Sequence, residues 1–134
     1  MVDHLEGDCR DVLPAIAAKS VHTCVTSPPY WALRSYLPDD HPAKSKEIGQ
    51  ERTAQQYIEN LVTVFREVSR VLMNNGTLWL NLGDTYAKNS TKEAGRAGVK
   101  PGELCGIPWR VALALQEDGW YLRSDIIWHN GQTS

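Results

Sequence analysis

Val21-His22-Thr23-Cys24-Val25-Thr26-Ser27-Pro28-Pro29-Tyr30 is the stretch from which the fold is read. Its first residues are rich in β-branched types that favour extended backbone, and the run stops at two prolines that cannot donate to a strand ladder. A strand over 21–26, closed by a rigid loop, is predicted. In an open α/β sheet the groups just beyond a strand's carboxyl end face the ligand crevice. Ser27, Pro28, Pro29 and Tyr30 are therefore candidate catalytic residues.

Outward from that loop, residues 31–52 contain Pro38, Pro42, Gly49 and mixed charge without a period, and read as a long surface loop. Tyr57, Ile58, Leu61, Phe65, Val68 and Leu72 then recur at helical spacing on one face. Thr53 with Gln56 makes a capping-box start, and Asn75-Gly76 is the expected stop. Thr77-Leu78-Trp79-Leu80-Asn81-Leu82 reads as a second strand, closed by Gly83. The following twenty or so residues, with Gly95, Gly98, Pro101 and Gly102 among charges, are expected to form a mobile loop. Pro108 suits the first turn of a helix that buries Val111, Ala112 and Leu115 and ends at Gly119. Trp120-Tyr121-Leu122 and Ile126-Ile127-Trp128 form a third extended region. Strand, helix, strand, helix, strand is an α/β pattern.

Composition narrows the class. With 134 residues, 42% hydrophobic and 22% charged, the chain fits one globular domain, 1–134, and excludes disordered and fibrous classes. No apolar run reaches membrane-spanning length, and Met1-Val2-Asp3-His4-Leu5-Glu6 lacks the features of a secretion signal, so a cytoplasmic setting is expected. Cys9, Cys24 and Cys105 are odd in number and share no metal-ligand spacing, so they read as reduced thiols and no metal site is expected. A net charge of −2 gives no global basic face for nucleic acid. Locally, Lys88, Lys92, Arg96 and Lys100 outweigh Glu93 and Glu103, as either a solvated or a phosphate-contacting run.

The loop itself offers chemistry suited to an aromatic amine, whose lone pair is delocalised into its ring. Acceptors aimed at the two amine hydrogens draw the nitrogen toward tetrahedral geometry. The Ser27 oxygen supplies one, and the Pro28 carbonyl, held by consecutive prolines, supplies the other. Tyr30 can stack on a planar ring extruded from a duplex. A rigid turn is what most double prolines form, and is the competing reading. Asp84, after Gly83 at a strand's end, is placed to accept from or orient Ser27, or to cap a helix. His22 reads as structural, and Trp79, Trp109 and Trp128 as core, with Trp31 set apart because it adjoins the loop.

Thr26-Ser27-Pro28-Pro29-Tyr30-Trp31 resembles the catalytic loop of the S-adenosylmethionine-dependent DNA amino-methyltransferases, and serine at its head is similar to the cytosine-N4 branch. Gly7-Asp8-Cys9, the run from Gly76 to Tyr86, Gly106-Ile107-Pro108-Trp109-Arg110 and Gly119-Trp120-Tyr121-Leu122-Arg123 also resemble segments of that family, in its order. The resemblance implies a partial Rossmann-like methyltransferase sheet flanked by helices, methyl transfer from S-adenosylmethionine to the N4 amine of cytosine in double-stranded DNA, and a place in restriction-modification. It implies catalytic roles for Ser27, Pro28, Pro29, Tyr30 and Asp84, and cofactor contacts from Asp8, Cys9 and Thr26.

The family's Phe-x-Gly-x-Gly turn for the methionine end of the cofactor has no counterpart. The single phenylalanine is Phe65, and no two glycines are separated by one residue. The chain thus resembles the first part of such an enzyme, ahead of the target-recognition region and the glycine-rich motif. Adenine-N6 methylation and a non-catalytic module that self-associates are the alternatives. Half of a sheet leaves apolar surface that tends to find a partner, either a second copy or a complementary chain.

Overall fold

The computed structural model describes residues 1–131. Two parallel strands, β1 (Val21–Thr26) and β2 (Leu72–Leu80), are joined by helix α2 (Ala54–Val71) in a β-α-β unit. A short helix α1 (Cys9–Val12) precedes β1, and α3 (Thr91–Ala97) and α4 (Ile107–Glu117) follow β2.

The capping box forms as expected: Thr53 Oγ1 accepts from the Gln56 amide at 3.2 Å and Gln56 Oε1 accepts from the Thr53 amide at 3.2 Å. Tyr57, Ile58, Leu61, Phe65 and Val68 fall on one face of α2 and are buried, which is what their spacing requires. The helix ends earlier than Asn75-Gly76. Leu72, expected on the helix, is already the first residue of β2, because its backbone pairs with Val21 while the Ser20 amide bonds the Val71 carbonyl at 2.9 Å. Pairing to β1 thus overrides helical propensity, and a register shift between Val21 and Thr23 absorbs the mismatch. Beyond the shift, Cys24 pairs with Leu78, Val25 with Trp79 and Thr26 with Leu80.

The α/β class holds, with two strands in the sheet. The third extended region is not a strand: residues 120–131 have no ladder partner among the described residues, and Tyr121, Ile126, Ile127 and Trp128 are exposed. Extended backbone needs a neighbour for its N–H and C=O groups, and periodicity alone does not supply one.

The expected mobile loop after Asp84 holds α3. Ser90 caps it by accepting from the Glu93 amide at 3.2 Å, and Ala94 and Ala97 are buried. The excursion closes where Ala87 donates to Glu103 at 2.8 Å and Cys105 to Thr85 at 2.9 Å. Helix α4 buries Ile107, Val111 and Leu115 against α2, with Ala112 only half-buried. Trp31 is the tryptophan in the core, at 5% exposure, whereas Trp79 at 52%, Trp109 at 58% and Trp128 at 83% are not core residues. His22 is exposed on β1.

Candidate active site

Ser27 follows the last residue of β1. The ladder continues one residue past β2, with the Asn81 amide donating to the Thr26 carbonyl at 3.0 Å, so the tips of both strands end level. Beyond them lies a cleft of about 470 Å³ lined by Ser27, Pro28, Pro29 and Tyr30 together with Leu33, Arg34 and Tyr36. The structure therefore gathers all four loop residues at one opening.

Three supports fix the loop from behind. The Tyr57 hydroxyl, on the buried face of α2, donates to the Pro29 carbonyl at 2.7 Å. Burial pushes the Tyr57 phenol well above its ordinary value, helped by Glu51 and Tyr30, and so keeps it a donor. Gly49, at φ +101°, lies so close that a Cβ would stand 3.1 Å from both Pro29 Cβ and the Tyr30 carbonyl oxygen. Gly83 lies against the Tyr30 ring, where a Cβ would come within 2.4 Å of Cε2. Trp31 anchors the exit from the loop, its indole N–H donating to the Glu51 carbonyl at 3.0 Å while the Ala32 amide bonds the Gly49 carbonyl at 2.8 Å.

The two proline carbonyls differ. Pro29 is satisfied by Tyr57, whereas no donor among the described residues takes the Pro28 carbonyl. Next to that open acceptor, Ser27 Oγ receives a hydrogen bond from Asn81 Nδ2 at 3.3 Å, and the same nitrogen donates to the Tyr30 hydroxyl at 3.2 Å. Asn81 was absent from the sequence-based site. The available signal was a polar residue inside the apolar run Leu80-Asn81-Leu82. Tyr57 was read only as core, and nothing in its spacing distinguishes a hydroxyl that binds the loop from one that faces solvent.

Asp84 is occupied by backbone. Its Oδ1 accepts from the Thr85 amide at 2.8 Å and the Ile107 amide at 3.1 Å, and its Oδ2 from the Gly106 amide at 2.9 Å. The bonds from Gly106 and Ile107 cap the start of α4 and tie it to the segment that follows β2.

A family model for DNA methylases matches residues 21–134, the strand-tip loop included. The chain belongs to this N6/N4 DNA methylase family. It is 46% identical to the Type II methyltransferase M.Cfr9I of Citrobacter freundii, over 92% of this chain and 45% of that protein. It is 46% identical to M.XycI of Xanthomonas campestris pv. cyanopsidis over 92% of this chain and 45% of that protein, and 43% identical to M.SmaI of Serratia marcescens over 92% and 46%. The chain spans a little under half the length of these curated relatives. No solved structure matches it.

DNA methylases of this family take their methyl group from S-adenosylmethionine. Asp8, Cys9 and Thr26 were assigned to that cofactor. Asp8 caps α1 and holds Arg10, its Oδ1 accepting from the Arg10 amide and Nε at 2.9 Å and its Oδ2 from Nη2 at 2.7 Å. The guanidinium beside it holds the Asp8 carboxyl below its usual range. Three of the lone-pair sites of this carboxylate are thus filled by Arg10. Cys9, at the start of α1, has its thiol pushed up by burial and by Asp8, so it stays protonated. Thr26 is half-buried, with its carbonyl taken by Asn81. Among the described residues no hydrogen bond joins Asp8 or Cys9 to the Ser27–Tyr30 loop.

The basic run divides. Arg96 is held by the Arg52 carbonyl at 2.6 Å, by Glu93 at 3.1 Å and over the Trp31 ring at 5.9 Å, and Lys100 lies 3.7 Å from Glu103. Among the described residues no carboxylate pairs with Lys88 or Lys92. No group of metal-ligating side chains occurs among the described residues, and no helix there is long and apolar enough to cross a membrane.

Proposed function

We propose that this chain carries the amine-activating part of a DNA methyltransferase that modifies the N4 amine of cytosine in double-stranded DNA. The observation that carries the reading is an open acceptor next in sequence to a positioned hydroxyl: the Pro28 carbonyl has no donor among the described residues, and Ser27, whose Oγ is held by Asn81, lines the same cleft. Two acceptors at that edge take the two hydrogens of an exocyclic amine and concentrate its lone pair on nitrogen. Tyr30, propped on Gly83, stacks on the extruded base. Tyr57 ties the neighbouring Pro29 carbonyl to α2, which anchors the loop that carries the Pro28 carbonyl.

S-adenosylmethionine, when bound, supplies an electrophilic methyl group, and Asp8 with Cys9 and Thr26 would hold its adenosine end. Asp84 acts on the site through the backbone it joins, since among the described residues its bonds go to N–H groups of Thr85, Gly106 and Ile107. Adenine N6 offers the same amine geometry and is the alternative target.

Incubating this chain, completed by a segment that carries the glycine-rich cofactor motif, with radiolabelled S-adenosylmethionine and unmethylated duplex DNA, followed by nucleoside analysis, tests this; weak or no binding of the cofactor is expected for residues 1–134 alone. N4-methylcytosine is the expected product, and Ser27→Ala or Tyr30→Ala should remove most of it. N6-methyladenine would reassign the target, and label transfer that survives both substitutions would end the mechanism.

A second reading rests on the uncovered sheet face. Val25 at 77% exposure stands beside its register partner Trp79 at 52%, an apolar pair with nothing over it among the described residues. This favours a module that associates with a second copy or with a complementary chain. Sedimentation equilibrium that shows a monomer at all concentrations would remove the self-associating form.

A further inference from the structure

We propose that Asn81 is a positioning residue of the target-base site, a single amide that sets the spacing between the Ser27 and Tyr30 hydroxyls. This deepens the methyltransferase reading and rests on it.

Asn81 is the first residue beyond β2, and its backbone amide is bonded to the Thr26 carbonyl at 3.0 Å. Its side chain therefore starts level with Ser27. An amide nitrogen carries two hydrogens in a fixed planar fork. Asn81 Nδ2 reaches two oxygens at the two ends of the Ser-Pro-Pro-Tyr turn, Ser27 Oγ at 3.3 Å and Tyr30 Oη at 3.2 Å. Both loop contacts to a base are thus referred to one rigid group on the neighbouring strand.

The polarity matters as much as the spacing. A hydroxyl has one donor and two acceptor sites. With one acceptor site of Ser27 filled by Asn81, its second lone pair and its own hydrogen remain for the cleft. The Watson–Crick edge of cytosine presents an amine hydrogen next to a ring nitrogen lone pair, which matches that remaining pair of functions. An aspartate at 81 has nearly the same shape but only accepts, so it would draw both hydroxyl hydrogens to itself and away from the base. Asn81 is exposed and supports no part of the core, so its replacement leaves folding intact.

The test uses this chain labelled with 3-fluorotyrosine, in parallel with steady-state methyl transfer to duplex DNA by the form completed with the glycine-rich cofactor motif. Fluorine resonances of all 5 tyrosines are followed, that of Tyr30 being assigned with Tyr30→Phe. Asn81→Ala and Asn81→Asp should each shift the Tyr30 resonance and leave the others in place. Both should lower kcat by about a hundredfold, the scale of a small misplacement of reacting groups, with KM for DNA unchanged. The kcat losses of Asn81→Ala and Tyr30→Phe should not add in the double variant, because the two share one contact. An unmoved Tyr30 resonance, an unchanged kcat, or fully additive losses would each overturn the proposal. If Ser27→Ala has no effect on transfer while the Tyr30 resonance responds to Asn81, the base-site reading fails and the contact itself stands.

Discussion

The Tyr57 hydroxyl donates to the Pro29 carbonyl at 2.7 Å, joining the buried face of α2 to the strand-tip loop. Removing that hydroxyl leaves a half-buried carbonyl without a partner. Tyr57→Phe should cost about 1 kcal/mol in urea denaturation, the net worth of one such bond. It should also lower methyl transfer while Ser27 and Tyr30 are intact. Unchanged stability and unchanged transfer would show that the loop holds itself.

The same phenol sets an alkaline limit. Burial first, and then Glu51 and Tyr30, raise its folded pKa above the ordinary value of 10.0. Below about pH 10 both states are protonated and stability is flat in this group. Above it the unfolded chain loses the proton and the folded one keeps it, so the unfolded state binds fewer protons and stability falls as pH rises. Denaturation midpoints measured from pH 9 upward should therefore decline more steeply for the parent than for Tyr57→Phe. Parallel curves would contradict this.

Gly83→Ala should behave as a local lesion. The added Cβ would fall 2.4 Å from Tyr30 Cε2 and 2.7 Å from Cδ2, so the ring must swing away. Activity should drop toward that of Tyr30→Ala, while thermal unfolding changes by less than about 1 kcal/mol because the ring borders an open cleft. Full activity in this variant would mean that Tyr30 works from another position.

Asp84→Ala should act mainly on stability. It leaves the Thr85, Gly106 and Ile107 amides without their acceptor, and loss of a helix cap costs about 1–2 kcal/mol. Asp84→Asn keeps one acceptor oxygen and should lie between the two in urea denaturation. If Asp84→Asn matches the parent in stability and yet abolishes transfer, the carboxylate has a direct role in proton movement.

Legibility from sequence followed the range of the forces involved. Helix α2 and β1 could be read because their signals are local: a repeating apolar face, a capping box and a proline stop. The start of β2 could not, since Leu72 is equally suited to helix or strand and only its pairing with Val21 decides. Helix α3 was missed because its buried face is two alanines, Ala94 and Ala97, among glycines and charges, although Ser90-Thr91-Lys92-Glu93 carries a capping pattern. The third strand is an overreading, because Ile126 and Ile127 have strand propensity but no partner row among the described residues. At the candidate site, residue types alone single out the Ser27–Tyr30 loop, and the structure puts its four residues at one cleft. Its supports, Asn81, Tyr57, Gly49 and Gly83, come from separate stretches of chain and become visible only in three dimensions.

Helix α2 runs into β2 without an intervening loop, its last residue Val71 being followed directly by Leu72. The first turn of that continuous piece reaches Pro29 through Tyr57, and its far tip is followed at once by Asn81, which meets Ser27 and Tyr30. The Ser27–Tyr30 loop is thus gripped from two sides by groups carried on one uninterrupted piece of chain. A disturbance at the Val71–Leu72 elbow, distant from any base, should loosen both grips together.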